Sequence, residues 1–372
     1  MISIVIPTFN ERDNVREVAV AVRRALTNRA FEVIFVDDSV DDTMDVLKEI
    51  AMVDSSIRYE HRVVGRGLGT AVVRGFELAH GDVIAVMDAD LQHPPEFLLQ
   101  MISKIEEGYD VVIPSRFIPG GSDGGLSFRR KVISGVARYM ARIALKRVRH
   151  TTDPTSGFFM FRRKIIDGVQ LRPIGWKILI EVLVRGRYES VAEISYSFHP
   201  RASGDSKMSL KEQWNYIKHL TLLIWSSPED RRLYLFACVG VSGVLLNSLV
   251  YMGLVKLSLP VEVSGLISAL VALASNFTLN DRITWRSSHN SALPLRAVKY
   301  FLTSLVGIGI DVGVLSVLYR SLHTNYLLAN LAGIIVATVW NFTVSNLWVW
   351  RNRNRLIEIV HESVTESLEN KI

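Results

Sequence analysis

The chain has one cysteine, Cys238, so no disulfide can form within it. Cys238 sits inside an apolar run, where it reads as a core or lipid-facing residue. No basic stretch precedes the first apolar run, and "MISIVIPTFNE" is apolar only from Ile2 to Ile6. A secretory signal peptide is therefore not expected, and a β-strand fits the run better. Charge is scarce late in the chain. Residues 233–255, 263–279 and 326–350 carry no Asp, Glu, Lys or Arg, and 300–319 carry Asp311 alone. What is plentiful is hydrophobic residue, 49% of 372, with a mean hydropathy of +0.22. That is high for a soluble protein. The formal net charge of +6 is modest and says little by itself, and no nucleic-acid partner is expected.

Up to about Pro228 the sequence reads as α/β. Short Val- and Ile-rich runs ("ISIVIP", "FEVIFVDD", "DVIAVMDAD", "YDVVIPS") alternate with helical patterns. That rhythm predicts a mostly parallel, Rossmann-like sheet with covering helices. Ligands of such sheets lie beyond the carboxyl ends of the strands, so polar residues there are the first candidates.

After Pro228 the four uncharged or nearly uncharged runs are each near the ~20 residues that cross a bilayer. Arg231 and Arg232 precede the first. Arg282, Arg286, Arg296 and Lys299 lie between the second and third, and Arg351, Arg353 and Arg355 follow the fourth. The positive-inside rule then puts the first half, the middle loop and the tail in the cytoplasm. The membrane half repeats itself. "NFTLNDRITWR" begins at Asn276 and "NFTVSNLWVWR" at Asn341, an offset of 65 positions. This predicts two helical hairpins in parallel orientation, each ending in a Trp-Arg anchor. Asp311 inside a span is either functional or a buried partner for a polar group such as Asn247. The expected domains are a catalytic one over 1–228, a four-helix membrane one over 229–355, and a tail over 356–372.

"VMDADLQHPPE" places two carboxylates one residue apart where a strand should end. Asp88, Asp90 and Gln92 all offer oxygen ligands, a set that suits Mg²⁺ or Mn²⁺ and is too hard for zinc. A divalent cation would explain why the two like charges stand together. Such a cation at a strand end commonly bridges to a diphosphate.

"PTFNE" follows the first strand, "VDDSVDDT" the second, and "GRGLGTAVVRGFELAHGD" precedes the Asp-Ala-Asp strand. These motifs, in this order from Ile2 to about Lys207, resemble the nucleotide-sugar half of family 2 glycosyltransferases of the GT-A fold. The resemblance implies a donor site formed by Pro7, Phe9, Asn10, Glu11, Val36, Asp38, Asp88, Ala89 and Asp90. Glu11 and Asp38 would accept hydrogen bonds from ribose hydroxyls or base edges. Gly65, Gly67 and Gly69 would let backbone approach the ligand. Asp41 and Asp42 read instead as acids at a helix start.

Later motifs narrow the likeness. "IPSRF", "DPTSGFFMF", "GWKILIEVL" and "HPRASGDSK" look like dolichyl-phosphate mannose synthases and related polyprenyl-phosphate sugar synthases. The four spans look like the GtrA-like domain fused to some of them. No Gln-x-x-Arg-Trp motif of processive polysaccharide synthases is present. The resemblance implies inverting, metal-dependent transfer of mannose from GDP-mannose to dolichyl phosphate. UDP-glucose as donor, or a flippase for lipid-linked sugar, are the competing readings. A lipid phosphate is already ionised near neutral pH, so it needs alignment and charge neutralisation rather than a base. Arg116, Arg130, Arg201 and Lys207 are the expected acceptor-phosphate ligands, and Asp90, Arg116, Arg201 and Lys207 the expected catalytic set.

Two stretches, about 129–149 and 208–226, read as basic amphipathic helices in the membrane interface. The first puts Val132, Val136, Met140 and Ile143 on one face, with Arg138, Arg142 and Lys146 as a second stripe. The second puts Leu210, Trp214, Ile217 and Leu220 together. Helices packed on the sheet are the alternative.

Overall fold

The computed structural model describes residues 1–125, 128–198, 210–286, 288, 291–322 and 325–350. The chain divides into two compact units, the first Met1–Ser227 and the second beginning at Pro228.

The first unit is built on a seven-stranded sheet of order β3-β2-β1-β4-β6-β5-β7. The strands are β1 (Ile2–Thr8), β2 (Phe31–Asp37), β3 (Ile57–His61), β4 (Val83–Val86), β5 (Val111–Ser115), β6 (Phe159–Arg162) and β7 (Val191–Ser195). The four runs quoted above became β1, β2, β4 and β5. Their unbroken apolar character follows from burial on both faces: Ile4, Val5, Ile6, Val33, Phe35, Val111, Val112 and Ile113 are all fully buried. β3, β6 and β7 are not among those runs. Among the described strands β6 alone runs antiparallel, against β4 and β5. Its first residue therefore lies beside the last residue of β4, with Val86 opposite Phe159. This single reversal brings the loop before β6 to the carboxyl end of the sheet.

Helices α1 (Val15–Ala25), α2 (Thr43–Val53), α3 (Leu68–Leu78) and α4 (Phe97–Glu106) connect the first strands. Asp41, just ahead of α2, accepts the Thr43 backbone N–H at 3.1 Å, and Asp42 is its N-cap position. α5 (Phe128–Ala144), α6 (Ile178–Arg185) and α7 (Leu210–Ser226) complete the unit.

α5 and α7 each have two apolar faces, which corrects the single faces expected. Tyr216, Leu220, Leu223 and Ile224 of α7 join the core, with Leu220 only 6% exposed, whereas Trp214 and Ile217 are exposed. Leu220 thus belongs to the packed face, because three- and four-residue steps from Tyr216 trace a stripe apart from that of Trp214. Likewise Met140 packs against the core with Ala137, Ala141 and Ala144, while Val132, Val136, Tyr139 and Ile143 stay exposed. The Tyr216 hydroxyl donates to the Ala137 carbonyl at 2.6 Å and joins the two helices. Arg138 of the basic stripe lies over the Phe117 ring at 3.8 Å.

Among the described residues the second unit has four helices long and apolar enough to cross a membrane: Pro228–Lys256, Val261–Thr284, Leu293–Ser321 and Tyr326–Val349. The second, third and fourth end in a π-helical turn closed by a bond to the fifth residue back, such as Trp350 N–H to Ser345 O at 2.9 Å. The repeat seen in sequence is a pseudo-two-fold contact. Trp285 and Trp350 stack at 4.3 Å and 3°. Trp285 Nε1 donates to Asn346 Oδ1 at 3.3 Å, and Trp350 Nε1 donates to Asp281 Oδ1 at 2.8 Å. Each hairpin gives the other the same bond, as an isologous contact requires. Asn276 lies against Gly243, and Asn341 against Gly307, in the same manner. Asp311 lies against Gly333, and neither its Oδ1 nor that of Asn247 has a hydrogen-bond partner among the described residues. Asp311 Oδ1 is thus not satisfied by Asn247.

The symmetry breaks at Asp281. Asp281 also holds a buried, two-bond ion pair with Arg296 at 2.8 and 3.1 Å, where its counterpart Asn346 carries no charge. Asp281→Ala is expected to cost about 3–5 kcal/mol, because it strands a buried guanidinium. Asn346→Ala should cost about 1 kcal/mol, the value of one neutral hydrogen bond. Thermal unfolding of the full chain in detergent checks both, and equal losses would contradict the argument.

Candidate active site

Thr8 ends β1, Asp37 ends β2, Val86 ends β4 and Ser115 ends β5, all on the carboxyl side of the sheet; Thr8 pairs with Asp37, whereas Val86 pairs with Val5 and so ends β4 three residues earlier. The expected site residues follow these ends. Pro7 and Val36 face each other as register partners and are buried in the strands. Phe9 is exposed. Asn10 takes a left-handed backbone (φ 55°), donates its N–H to Ser39 Oγ at 2.7 Å and accepts the Val40 N–H at 3.0 Å. Glu11 accepts Asn14 Nδ2 at 2.8 Å.

The two aspartates after β2 divide their work. Asp37 is fully buried and accepts Thr8 Oγ1 at 2.9 Å, Ser39 Oγ at 2.5 Å and the His61 ring at 2.6 Å. It ties the ends of β1, β2 and β3 together. Asp38 receives both Nε and Nη2 of Arg62, at 2.8 and 2.7 Å, and the Gly67 N–H at 2.7 Å. Three of the roughly four acceptor positions of a carboxylate are thus occupied. Gly65 and Gly67 have φ of +72° and +145°, so this loop needs glycine for its backbone. Gly69 serves a contact inside the chain. Its N–H donates to the Gly175 carbonyl at 3.1 Å, and a Cβ there would collide with that oxygen.

The Asp88–Gln92 turn follows β4. Leu91 between Asp90 and Gln92 has φ of +58°, a conformation that costs a branched residue on the order of 1–2 kcal/mol. The turn closes with the Gln92 N–H on Asp90 Oδ1 at 3.2 Å. Asp90 is 4% exposed and Ala89 is buried, while the Asp88 side chain is 40% exposed. The strained residue sits between Asp90 and Gln92 in the chain. Among the described residues no cluster of three His, Cys, Asp or Glu side chains could hold a metal. The set here is two carboxylates and one amide. Oxygen donors of this kind fit a hard cation such as Mg²⁺ or Mn²⁺. Gly157 leaves the space beside them open, since a Cβ there would lie 3.3 Å from Asp88 Oδ2.

His93 supports this turn, and nothing in the sequence singled it out. Its Nδ1 accepts the Asp88 backbone N–H at 3.1 Å, so the ring proton is on Nε2. The ring stacks on Phe158 at 5.2 Å and meets the edge of Phe198 at 5.8 Å. Burial pushes its pKa down to about 4, so it is neutral at physiological pH.

Arg116 follows β5 and is nearly buried. Its Nε and Nη2 bond both oxygens of the fully buried Asp153 at 2.8 and 3.1 Å. Burial opposes the guanidinium charge, but Asp153 outweighs this and raises the pKa. Glu193 of β7 fixes the Asp153 loop in turn, accepting the Thr152 N–H at 2.6 Å and the Asp153 N–H at 3.3 Å. Residues 153–157 therefore link Arg116 at one end to Asp88 at the other. Arg201 and Lys207 lie outside the described residues, as does the Arg130 side chain.

The family model described as glycosyl transferase family 2 matches residues 3–169, and that described as the GtrA/DPMS transmembrane domain matches 235–350. A dolichol-phosphate mannosyltransferase of Pyrococcus furiosus is 37% identical over 355 residues, covering 94% of this chain and 99% of that protein. One from Saccharomyces cerevisiae is 32% identical over 231 residues, 59% of this chain and 85% of that protein. Among solved structures, glucosyl-3-phosphoglycerate synthase from Mycobacterium tuberculosis superposes with a TM-score of 0.48 at 19% identity, over 61% of this chain and 79% of that one.

Proposed function

The chain belongs to glycosyl transferase family 2, among the dolichol-phosphate mannosyltransferases with a GtrA-type membrane domain, and from that premise we propose its reaction. It is an integral membrane glycosyltransferase. The reaction is transfer of mannose from GDP-mannose to dolichyl phosphate, with inversion, giving dolichyl β-D-mannosyl phosphate and GDP. A bond forms between the lipid phosphate oxygen and the sugar C1 as the bond from C1 to the diphosphate breaks. The acceptor is already an anion, so no proton has to be removed from it.

The observation that carries this reading is the joining of the Asp88–Gln92 turn to the Arg116–Asp153 pair through residues 153–157. Two anions meet in the reaction, and each needs opposite charge beside it. Mg²⁺ or Mn²⁺ held by Asp88, Asp90 and Gln92 would stabilise the charge that develops on the departing diphosphate. Pro7, Phe9, Asn10, Glu11, Val36, Asp38 and Ala89 would line the nucleotide side. Arg116, already oriented by Asp153, has Nη1 left for the lipid phosphate, with Arg130, Arg201 and Lys207 as its partners. The exposed faces of α5 and α7 (Val132, Val136, Tyr139, Ile143; Trp214, Ile217, Trp225) suit a membrane surface. With Arg231, Arg232, Arg282, Arg286 and Lys299 near the span ends, the catalytic unit would face the cytoplasm.

The test is purified full-length protein with polyprenyl phosphate and radiolabelled nucleotide sugars supplied one at a time. Label from GDP-mannose should enter the lipid extract. Label only from UDP-glucose would replace the donor, and label from neither would refute the transferase reading.

A further inference from the structure

We propose that Lys177 binds a phosphoryl oxygen of the substrates, an inference that rests on the transfer reaction above. Lys177 lies at the start of α6, in "GWKILIEVL". Its Nζ donates to the Thr155 carbonyl at 2.9 Å and stands 5.6 Å from the Trp176 ring. Both partners are neutral. Among the described residues no carboxylate lies in ion-pair contact with it, although Arg116, Asp153 and Asp88 all act on it electrostatically. An ammonium has three protons to place, and one carbonyl satisfies one of them. Leaving such a charge half-satisfied in a shielded position is costly unless an anion completes it. Burial, with Arg116 nearby, already pushes its pKa down to about 8, the direction expected of a cation lacking its counter-charge.

Its neighbours place it at the reaction. Thr155, which it holds, lies between Asp153, the partner of Arg116, and Gly157, which faces Asp88. Arg116 has a carboxylate partner in Asp153. Lys177 therefore brings a positive charge to this loop that no carboxylate there neutralises. The backbone holds it firmly in place. Gly175 has φ of +75° and accepts the Gly69 N–H of α3, and a Cβ there would lie 3.0 Å from Glu212 Oε2 of α7. The ligand chemistry is a phosphate oxygen, supplied either by the nucleotide diphosphate or by the lipid phosphate.

The experiment uses the full chain in detergent, as wild type, Lys177→Met and Lys177→Arg. Binding of GDP, inorganic pyrophosphate (each with Mg²⁺) and a short-chain polyprenyl phosphate is measured by calorimetry, and unfolding by thermal melting. Lys177→Met should lose roughly 10–100-fold in affinity for at least one of them, the range of one charge-assisted bond. Its melting temperature should stay near wild type, and Lys177→Arg should recover part of the loss. Weakened GDP and pyrophosphate assign the leaving group. Weakened polyprenyl phosphate alone assigns the acceptor, and weakening of all three assigns a contact shared by both. Unchanged affinities overturn the proposal. So does a loss in all three that tracks a lowered melting temperature and is not relieved by arginine, which would mark a loop anchor only. A wild type that binds none of the probes overturns it as well. Sugar transfer is read separately: Lys177-dependent pyrophosphate binding without any transfer would sink the reaction and leave this site standing.

Discussion

Asp90→Asn is expected to lower transfer by roughly 10²–10³-fold, the scale seen when one group that stabilises developing charge is removed. Asn keeps the shape of the side chain and the Oδ1 that accepts the Gln92 N–H. What it removes is one of two negative charges on a turn whose centre, Leu91, holds a left-handed backbone. Without a cation those charges repel, so the variant should melt at the wild-type temperature or above it in chelator. Loss of activity together with unchanged or raised stability is the signature expected of a ligand site. Wild type should lose transfer in EDTA and regain it with Mg²⁺ or Mn²⁺, as read by label in the lipid extract. Full wild-type activity in chelator would remove the metal from the scheme.

The second large effect is on stability and activity together. Asp153→Ala leaves the nearly buried Arg116 guanidinium without its partner, and should cost about 3–5 kcal/mol. The freed guanidinium already touches the Phe117 and Phe198 rings at 5.2 and 5.4 Å and would turn toward them. Transfer should fall with it, because Arg116 is no longer aimed. Replacing both partners by apolar residues, Arg116→Met with Asp153→Leu, separates the two roles. The double variant should regain most of the lost melting temperature, since no buried charge is left unpaired. It should regain no transfer. Recovery of transfer in the double variant would show that Arg116 only holds the loop.

Local pattern was enough for much of this protein. Four apolar runs became β1, β2, β4 and β5, because strands buried on both faces need no polar alternation. The four long runs with no charge or one charge coincide with helices that can span a bilayer, since length and scarcity of charge are local properties. The 65-residue repeat announced two hairpins, and the order of the motifs announced the family. Asp88, Asp90 and Gln92 could be proposed together from sequence, because alternate residues of one short turn are close in the chain.

The rest depended on residues far apart in the chain. Asp153 and Arg116 meet only because β6 runs against β4 and β5, a reversal that no local pattern announces. His93 and Lys177 are ordinary letters in their motifs, and only packing shows one holding Asp88 and the other holding Thr155. Arg62 claims Asp38 from 24 residues away. Leu220 and Trp214 share a helix and an apolar nature, and the neighbouring sheet decided which of them it covers. Composition along the chain fixes which segments can be strands, spans or ligand turns, since those choices depend on near neighbours. Which charge faces which, and which apolar stripe is covered, follows from contacts made only once the sheet is assembled.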